Sequence, residues 1–214
     1  FHNIIAEIPG KSRKFILIAA HYDIKRFNFI KDFQGANDGA SGVAALLGMI
    51  SALQKYEGEL PCGIKFVFFD GEECIEEYGP ADGLHGSRRL AKEWSENGLL
   101  KKCRAMILLD MVGDKDLTIT IPKGCTKSLI DRTLRLAQEN GLGSRFRVFE
   151  SDMIDDHVPF LEKGVPAIDL IDFNYGPGNA FWHTTQDSLD KISAQSIKTV
   201  ADFAFGLYWD IAED

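Results

Sequence analysis

Phe66-Val67-Phe68-Phe69-Asp70-Gly71-Glu72-Glu73-Cys74 is the stretch whose reading decides the fold. Ile64 and Phe66 to Phe69 place five apolar residues within six positions, and an acidic turn follows at once. A short apolar run rich in β-branched and aromatic residues reads as a strand buried on both faces. Glutamates at the exit of such a strand stand at the carboxyl edge of a sheet, where open α/β folds bind ligands. Neighbouring side chains diverge there, so one carboxylate can hold a metal while the other faces a reacting atom. Taken alone, Glu72-Glu73 is an ordinary solvated turn; the rest of the chain gives it weight.

Working outward, Phe15 to Ala20 forms a second core strand that ends on His21-Tyr22-Asp23. A polar loop leads to Gly35-Ala36-Asn37-Asp38-Gly39-Ala40-Ser41-Gly42, and helical spacing then runs from about Ala40 to Tyr56. Downstream of the glutamates, a helix is predicted from about Leu84 to Asn97 and a strand from Ala105 to Leu109, ending on Asp110. Leu117 to Ile121 alternates like a strand with one polar face. A helix from about Thr126 to Asn140 stops at Gly141, and a short strand covers about Phe146 to Glu150. Asp155-Asp156-His157, a strand from Pro166 to Ile171, a glycine-rich loop with Phe181-Trp182-His183-Thr184 and a helix from about Ala194 to Trp209 complete the order. Strands alternating with helices of this length indicate an α/β fold with crossover units and a largely parallel sheet.

The 214 residues suit one α/β domain, residues 1–214, with an ordinary share of hydrophobic side chains, 45%. A net charge of −8 argues against nucleic acid and anionic membrane as partners and leaves room for a cation. The longest mostly apolar stretch, Val43 to Leu53, is too short to span a bilayer. Cys62, Cys74, Cys103 and Cys125 form no C-x-x-C pair and read as separate thiols. The chain opens at Phe1 and is at once strand-like, so we expect a segment upstream, where any targeting signal would lie. Oligomeric state is not legible.

His21, Asp38, Glu72, Glu73, Asp110 and His183 all fall on, or in the loop after, the carboxyl end of a predicted strand. In a parallel sheet those ends share one edge. A mixed imidazole and carboxylate set suits zinc, and three protein ligands with an open position mark a catalytic site. Asp23 is placed to orient the His21 ring. Each residue also has a plain structural alternative: Asp38 could cap the following helix, Asp110 could pair with a lysine, and either histidine could simply be hydrogen-bonded. Coincidence at so many strand ends is the weaker explanation.

The motifs His21-Tyr22-Asp23, Gly35 to Gly42, Asp70-Gly71-Glu72-Glu73, Leu108-Leu109-Asp110-Met111 and Trp182-His183-Thr184 resemble, in order and spacing, the zinc aminopeptidase family that includes the glutaminyl cyclases. The resemblance covers nearly the whole chain. It implies a three-layer sandwich, with a central mixed and mostly parallel twisted sheet flanked by helices, preceded in relatives by a helical segment. It implies zinc bound by Asp38, Glu73 and His183, and a second position completed by His21 and Asp110 with Asp38 bridging. Glu72 becomes the general acid/base, and peptide or protein N-termini become the substrates. Relatives are often secreted or periplasmic.

Cyclase and peptidase share this scaffold. One zinc is expected for a cyclase and two for an aminopeptidase. Tyr78 to Arg88, Asp155 to Leu161 with Gly164-Val165-Pro166, and Phe181 to Thr184 resemble the cyclase branch, with Tyr78 standing where animal cyclases carry tryptophan. By that resemblance Asp155 joins a hydrogen-bond chain with Asp110, and Trp182 and Tyr78 line the substrate pocket. Asp169, also expected in that pocket by the resemblance, stands where animal cyclases have a histidine near the site. The Gly35 to Gly42 loop looks more like the peptidase branch. The expectation is a cyclase, with an aminopeptidase, and more remotely an inactive peptide-terminus binder, as alternatives.

Overall fold

A computed structural model describes residues 1–213. The chain builds β1 (Ile4–Ile8), β2 (Ser12–His21), α1 (Ala40–Leu53), β3 (Cys62–Phe69), α2 (His85–Glu96) and β4 (Cys103–Asp110). There follow β5 (Ile119–Pro122), α3 (Lys127–Glu139), β6 (Phe146–Phe149), the short α4 (Val158–Leu161), β7 (Ala167–Ile171) and α5 (Ala194–Ala212). The central sheet has the order β1-β3-β2-β4-β7, with β1 antiparallel to β3 and every other pairing parallel. This is the expected mixed, mostly parallel sheet flanked by helices.

The apolar run of β3 serves both faces, as its composition requires. Ile64, Phe66 and Phe68 pack with Ile18, Leu46 and Leu109 and with residues of α3 and α5. Val67 and Phe69 pack on the opposite face with Leu90, Trp94, Leu108 and Phe160. Period-two alternation thus distributes one sequence run between two helical layers. Gly42 lets α1 approach the sheet closely, since a Cβ there would stand 2.4 Å from the Leu109 carbonyl oxygen.

Two differences from the sequence reading stand out. The strands around Leu117–Ile121 and Phe146–Glu150 pair with each other as β5 and β6 in a separate parallel sheet, outside the central one. The last helix also runs one turn further than Trp209, because Ile211 and Ala212 are still buried against the core.

The topology selects the location of the site. From β2 the chain passes through α1 to β3 on one side, then through α2 to β4 on the other side of β2. The carboxyl end of β2, where the crossovers part, is the switch point at which open sheets leave a crevice.

Candidate active site

His21 is the last residue of β2 and Asp110 the last of β4. Asp38 lies between β2 and α1, Glu72 and Glu73 follow β3, and His183 follows β7. The six residues expected to converge do so. Asp38 divides its carboxylate between the two imidazoles: Oδ1 is 3.2 Å from His21 Nε2, and Oδ2 is 3.2 Å from His183 Nε2. His21 Nε2 is also 3.2 Å from Asp110 Oδ1, and His183 Nε2 is 3.3 Å from Glu73 Oε1. Two trios result, each of one imidazole and two carboxylates, and Asp38 belongs to both. Bonds of about 2.0–2.2 Å to a tetrahedral zinc place neighbouring donors roughly 3.3–3.5 Å apart. The imidazole–carboxylate spacings of 3.2–3.3 Å come close to that edge length.

The electrostatics point the same way. Burial alone would lower the His21 pKa, yet the carboxylates of Asp110, Asp23 and Asp38 hold it well above its ordinary value. His183, likewise lowered by burial, is carried up to about 9 by Asp38 and Glu73. Carboxylates that draw protons this strongly onto imidazoles carry an excess of negative charge that a divalent cation would neutralise. Glu73 Oε2 and His21 Nδ1 are buried without a hydrogen-bond partner. The ammonium of Lys25 is 3.4 Å from Glu73 Oε2, while its hydrogen bonds go to the carbonyl oxygen and Sγ of Cys74. The residues present fit a metal centre.

Asp38 makes no cap hydrogen bond to α1, whose N-cap is Gly39 with a φ of 84°. A Cβ at Gly39 would come within 2.7 Å of the Asp23 carbonyl oxygen and 3.0 Å of His21 Cε1, so the loop closes only with glycine there. Asp23 stands beside the His21 ring as expected, with Oδ1 3.6 Å from Nδ1, longer than a hydrogen bond. Its two oxygens also accept the backbone N–H groups of Glu72 at 3.0 Å and Glu73 at 3.2 Å. A carboxylate that receives two successive amides fixes the turn presenting both glutamates.

Glu72 is buried, and the Tyr78 hydroxyl stands 2.9 and 3.1 Å from its two oxygens, donating to the carboxylate. Burial first, then the neighbouring Asp156, Glu73 and Asp110, raises its pKa well above the ordinary value, against the lowering pull of His21. Glu72, Tyr78, Asp155, Phe173, Trp182 and His183 help to line a cavity of about 310 Å³. Trp182 stacks on His183 with centroids 3.9 Å apart, and Phe27 and Phe33 meet the same imidazole edge-on at 5.7 and 6.4 Å. His183 itself has a φ of 56°, a left-handed conformation that costs a non-glycine residue about 1–2 kcal/mol.

Residues 3–207 match the model of peptidase family M28. The chain belongs to that family. It is 33% identical to a Drosophila melanogaster glutaminyl-peptide cyclotransferase over 94% of this chain and 62% of that protein. It therefore spans a little under two thirds of that relative's length. Among solved structures it resembles an Acidobacteriales bacterium glutaminyl cyclase, with a TM-score of 0.92, 38% identity, and coverage of 99% of this chain and 73% of the other. It also resembles a Zn-dependent exopeptidase from Parabacteroides distasonis, with a TM-score of 0.80, 26% identity, and coverage of 96% and 77%.

Behind the trios, this M28 chain holds a second acidic group. Asp155, Asp156, His157 and Asp169 are buried together, and Asp155 Oδ2, both oxygens of Asp156 and Asp169, and His157 Nδ1 lack hydrogen-bond partners. Burial first pushes the Asp155 and Asp169 pKa values well up; repulsion by Asp169 and Asp110 adds to it for Asp155, and repulsion by Asp110 adds to it for Asp169, against a lowering pull from Asp155. Asp156 rises to about 7 through burial, and burial lowers His157 to about 4. Asp155 reaches the cavity wall, whereas Asp169, expected in the pocket, is 0% exposed and does not line it. It sits mid-strand in β7, one layer behind Asp155, because β7 pairs at that point with Leu108 in the sheet interior.

Sequence reasoning passed over Lys25, Phe27 and Phe33. The stretch between His21 and Asp38 was read as merely polar, yet it carries Phe27, Phe29 and Phe33. Three phenylalanines in a loop next to a ligand-bearing strand end were the available signal. Among the described residues, no helix is long and apolar enough to cross a membrane, and Cys62, Cys74, Cys103 and Cys125 are free and buried.

Proposed function

We propose that this chain cyclises the N-terminal glutaminyl residue of peptides or proteins to pyroglutamyl, with release of ammonia. The observation that carries the reading is Glu72: a buried carboxyl of raised pKa, hydrogen-bonded by Tyr78 and facing an aromatic-walled cavity beside the Asp38, Glu73 and His183 trio. Kinship with proteins named as glutaminyl cyclases supports it. Asp38, Glu73 and His183 would hold a zinc ion, which when bound supplies positive charge that polarises the substrate's side-chain amide carbonyl.

The chain's own groups then do the following. The cavity holds the side chain folded back toward its own α-amine. Glu72 takes a proton from the α-amine as the nitrogen bonds to the side-chain amide carbon, Cδ. It returns that proton to the amide nitrogen, the carbon–nitrogen bond breaks, and ammonia leaves. Asp155, at the cavity wall, and Asp110 adjust the charge felt by Glu72. No nucleophilic side chain is required.

One observation favours an aminopeptidase as second reading. His21, Asp38 and Asp110 form a complete second trio, with Asp38 shared, and would hold a second zinc. Glu72 would then deprotonate the attacking water. The test is ammonia release from a glutaminyl dipeptide beside amino-acid release from a leucyl dipeptide, with zinc quantified on the same sample. Ammonia without free amino acid is expected; free leucine without ammonia would replace the cyclase by the peptidase. Glu72→Gln is expected to reduce turnover by roughly 10³-fold while keeping the metal.

A further inference from the structure

Asp187 is fully buried, four residues beyond His183, and has no part in either trio. Its Oδ1 accepts the backbone N–H of Asn37 at 2.7 Å and the Tyr175 hydroxyl at 3.0 Å, and its Oδ2 accepts the backbone N–H of Asp38 at 3.1 Å. One carboxylate thus grips two successive amides of the Asp38 loop, and its own chain leads back through one turn to His183. Its N–H is bonded to the carbonyl oxygen of Thr184, which closes that turn.

The grip extends to the third strand end. Asn37 Oδ1 accepts the Gly113 N–H at 2.7 Å, while Ser41 Oγ donates to the Asn37 carbonyl at 2.6 Å and accepts the Val112 N–H at 2.9 Å. Val112 and Gly113 directly follow the Asp110-Met111 corner, where Met111 has a φ of 49°. Three loops carrying Asp38, Asp110 and His183 are therefore held to one another by hydrogen bonds that converge on Asn37 and Asp187. Another carboxylate near so acidic a centre adds repulsion; Asp38 is one of the groups that raise the Asp187 pKa. Three good donors on one carboxylate offset that cost, and a neutral amide could accept at only one of its two heads.

We propose that Asp187 is a positioning residue that sets Asp38 against His183 and so determines the affinity of the centre for a divalent metal. The inference rests on the reading that Asp38 and His183 hold zinc. Outer partners that orient ligands typically contribute ten- to a hundredfold in metal affinity.

The test titrates zinc-loaded protein with a chromophoric chelator and compares wild type with Asp187→Asn, which keeps the shape, and Asp187→Glu, which keeps the charge. Both are expected to weaken zinc binding by roughly ten- to a hundredfold, and added zinc should restore turnover of Asp187→Asn toward wild type. Should one variant not fold, the other decides. If both bind zinc within about twofold of wild type while Tm falls, Asp187 only stabilises the fold and the proposal is overturned. Zinc that binds wild type but survives His183→Ala would instead overturn the metal reading on which the proposal rests.

Discussion

Two groups of buried carboxyls lie at the same edge of this sheet and differ in what faces them. In front, Asp38, Glu73 and Asp110 each lie within about 3.3 Å of an imidazole nitrogen. Behind, Asp155 and Asp169 face one another, with His157 Nδ1 no nearer than 3.7 Å to Asp169 Oδ2. The front group is built from strand ends and loops that reach the cavity; the rear group includes Asp169, inside a strand. Residues of the same type therefore take different roles. Where donors alternate with carboxylates around an open position, a cation can satisfy them. Asp155, His157 and Asp169 also bring one imidazole and two carboxyls close enough to surround a cation, but they are sealed in the interior, where burial and crowded acids favour protonated carboxyls.

Removing a front imidazole should have the largest effect. His183→Ala takes away the donor shared by Asp38 and Glu73 and leaves two buried carboxylates facing each other. Loss of bound zinc and at least a 10³-fold fall in turnover are expected, as for a deleted group of the reacting centre, read by metal analysis and ammonia release. The rear histidine should behave in the opposite way. Burial holds His157 neutral, with its pKa lowered to about 4 from an ordinary 6.5. Its contribution to stability is complete above pH 6.5 and is lost as pH falls toward 4, because the unfolded chain takes up the proton first. That span corresponds to about 3 kcal/mol. In denaturant titrations at pH 7 and pH 4.5, His157→Gln should show a shallower loss than wild type, and an unchanged slope would remove His157 from the acid limb.

A smaller change should move Glu72 from the front class toward the rear one. Tyr78→Phe deletes the hydroxyl that donates to both its oxygens. The ionised form loses its donor, so the Glu72 pKa should rise further. The acid limb of the kcat/KM profile should shift to higher pH, with roughly tenfold lower activity near neutrality, in line with the loss of a hydrogen bond to a charged group of about 1.5 kcal/mol or more. A profile unmoved by Tyr78→Phe would mean that this hydroxyl does not tune the base.

The front group was legible in the strand pattern, whereas Asp155 and Asp169 entered only through the family resemblance, for a physical reason. Phe66 to Phe69 can be buried on both faces only in a sheet covered on both sides, and parallel strands must send their carboxyl ends to one edge. His21, Glu73 and Asp110 follow from those two constraints. Asp23 and Asp187 do not, because their partners are backbone amides of other loops, and the path of a loop is set by contacts far apart in sequence. Asp187 reaches across 150 residues to Asn37. Asp169 was expected at the pocket by resemblance alone, whereas it is buried in mid-strand beside another acid.

The smallest expected effect tests that last point most directly. Asp169→Asn replaces one of two facing carboxyls by an amide of the same shape, whose N–H can donate to Asp155. If a proton now does that work, the variant should match wild type within about 1 kcal/mol at pH 5, because one donor replaces another. The difference should then grow with pH. A carboxyl whose folded pKa is raised binds its proton more tightly when folded, so its effect on stability becomes less favourable as pH rises above the ordinary value near 3.8 and toward the folded pKa. Asp169→Asn lacks that titration and should lose less stability than wild type between pH 5 and pH 8. An infrared band of a protonated carboxyl, present in wild type at pH 6 and missing from the variant, would locate the proton. A variant that is less stable at every pH, and from which a metal ion has been lost, would mean that the rear group is held by a cation after all and that the two regions differ only in depth.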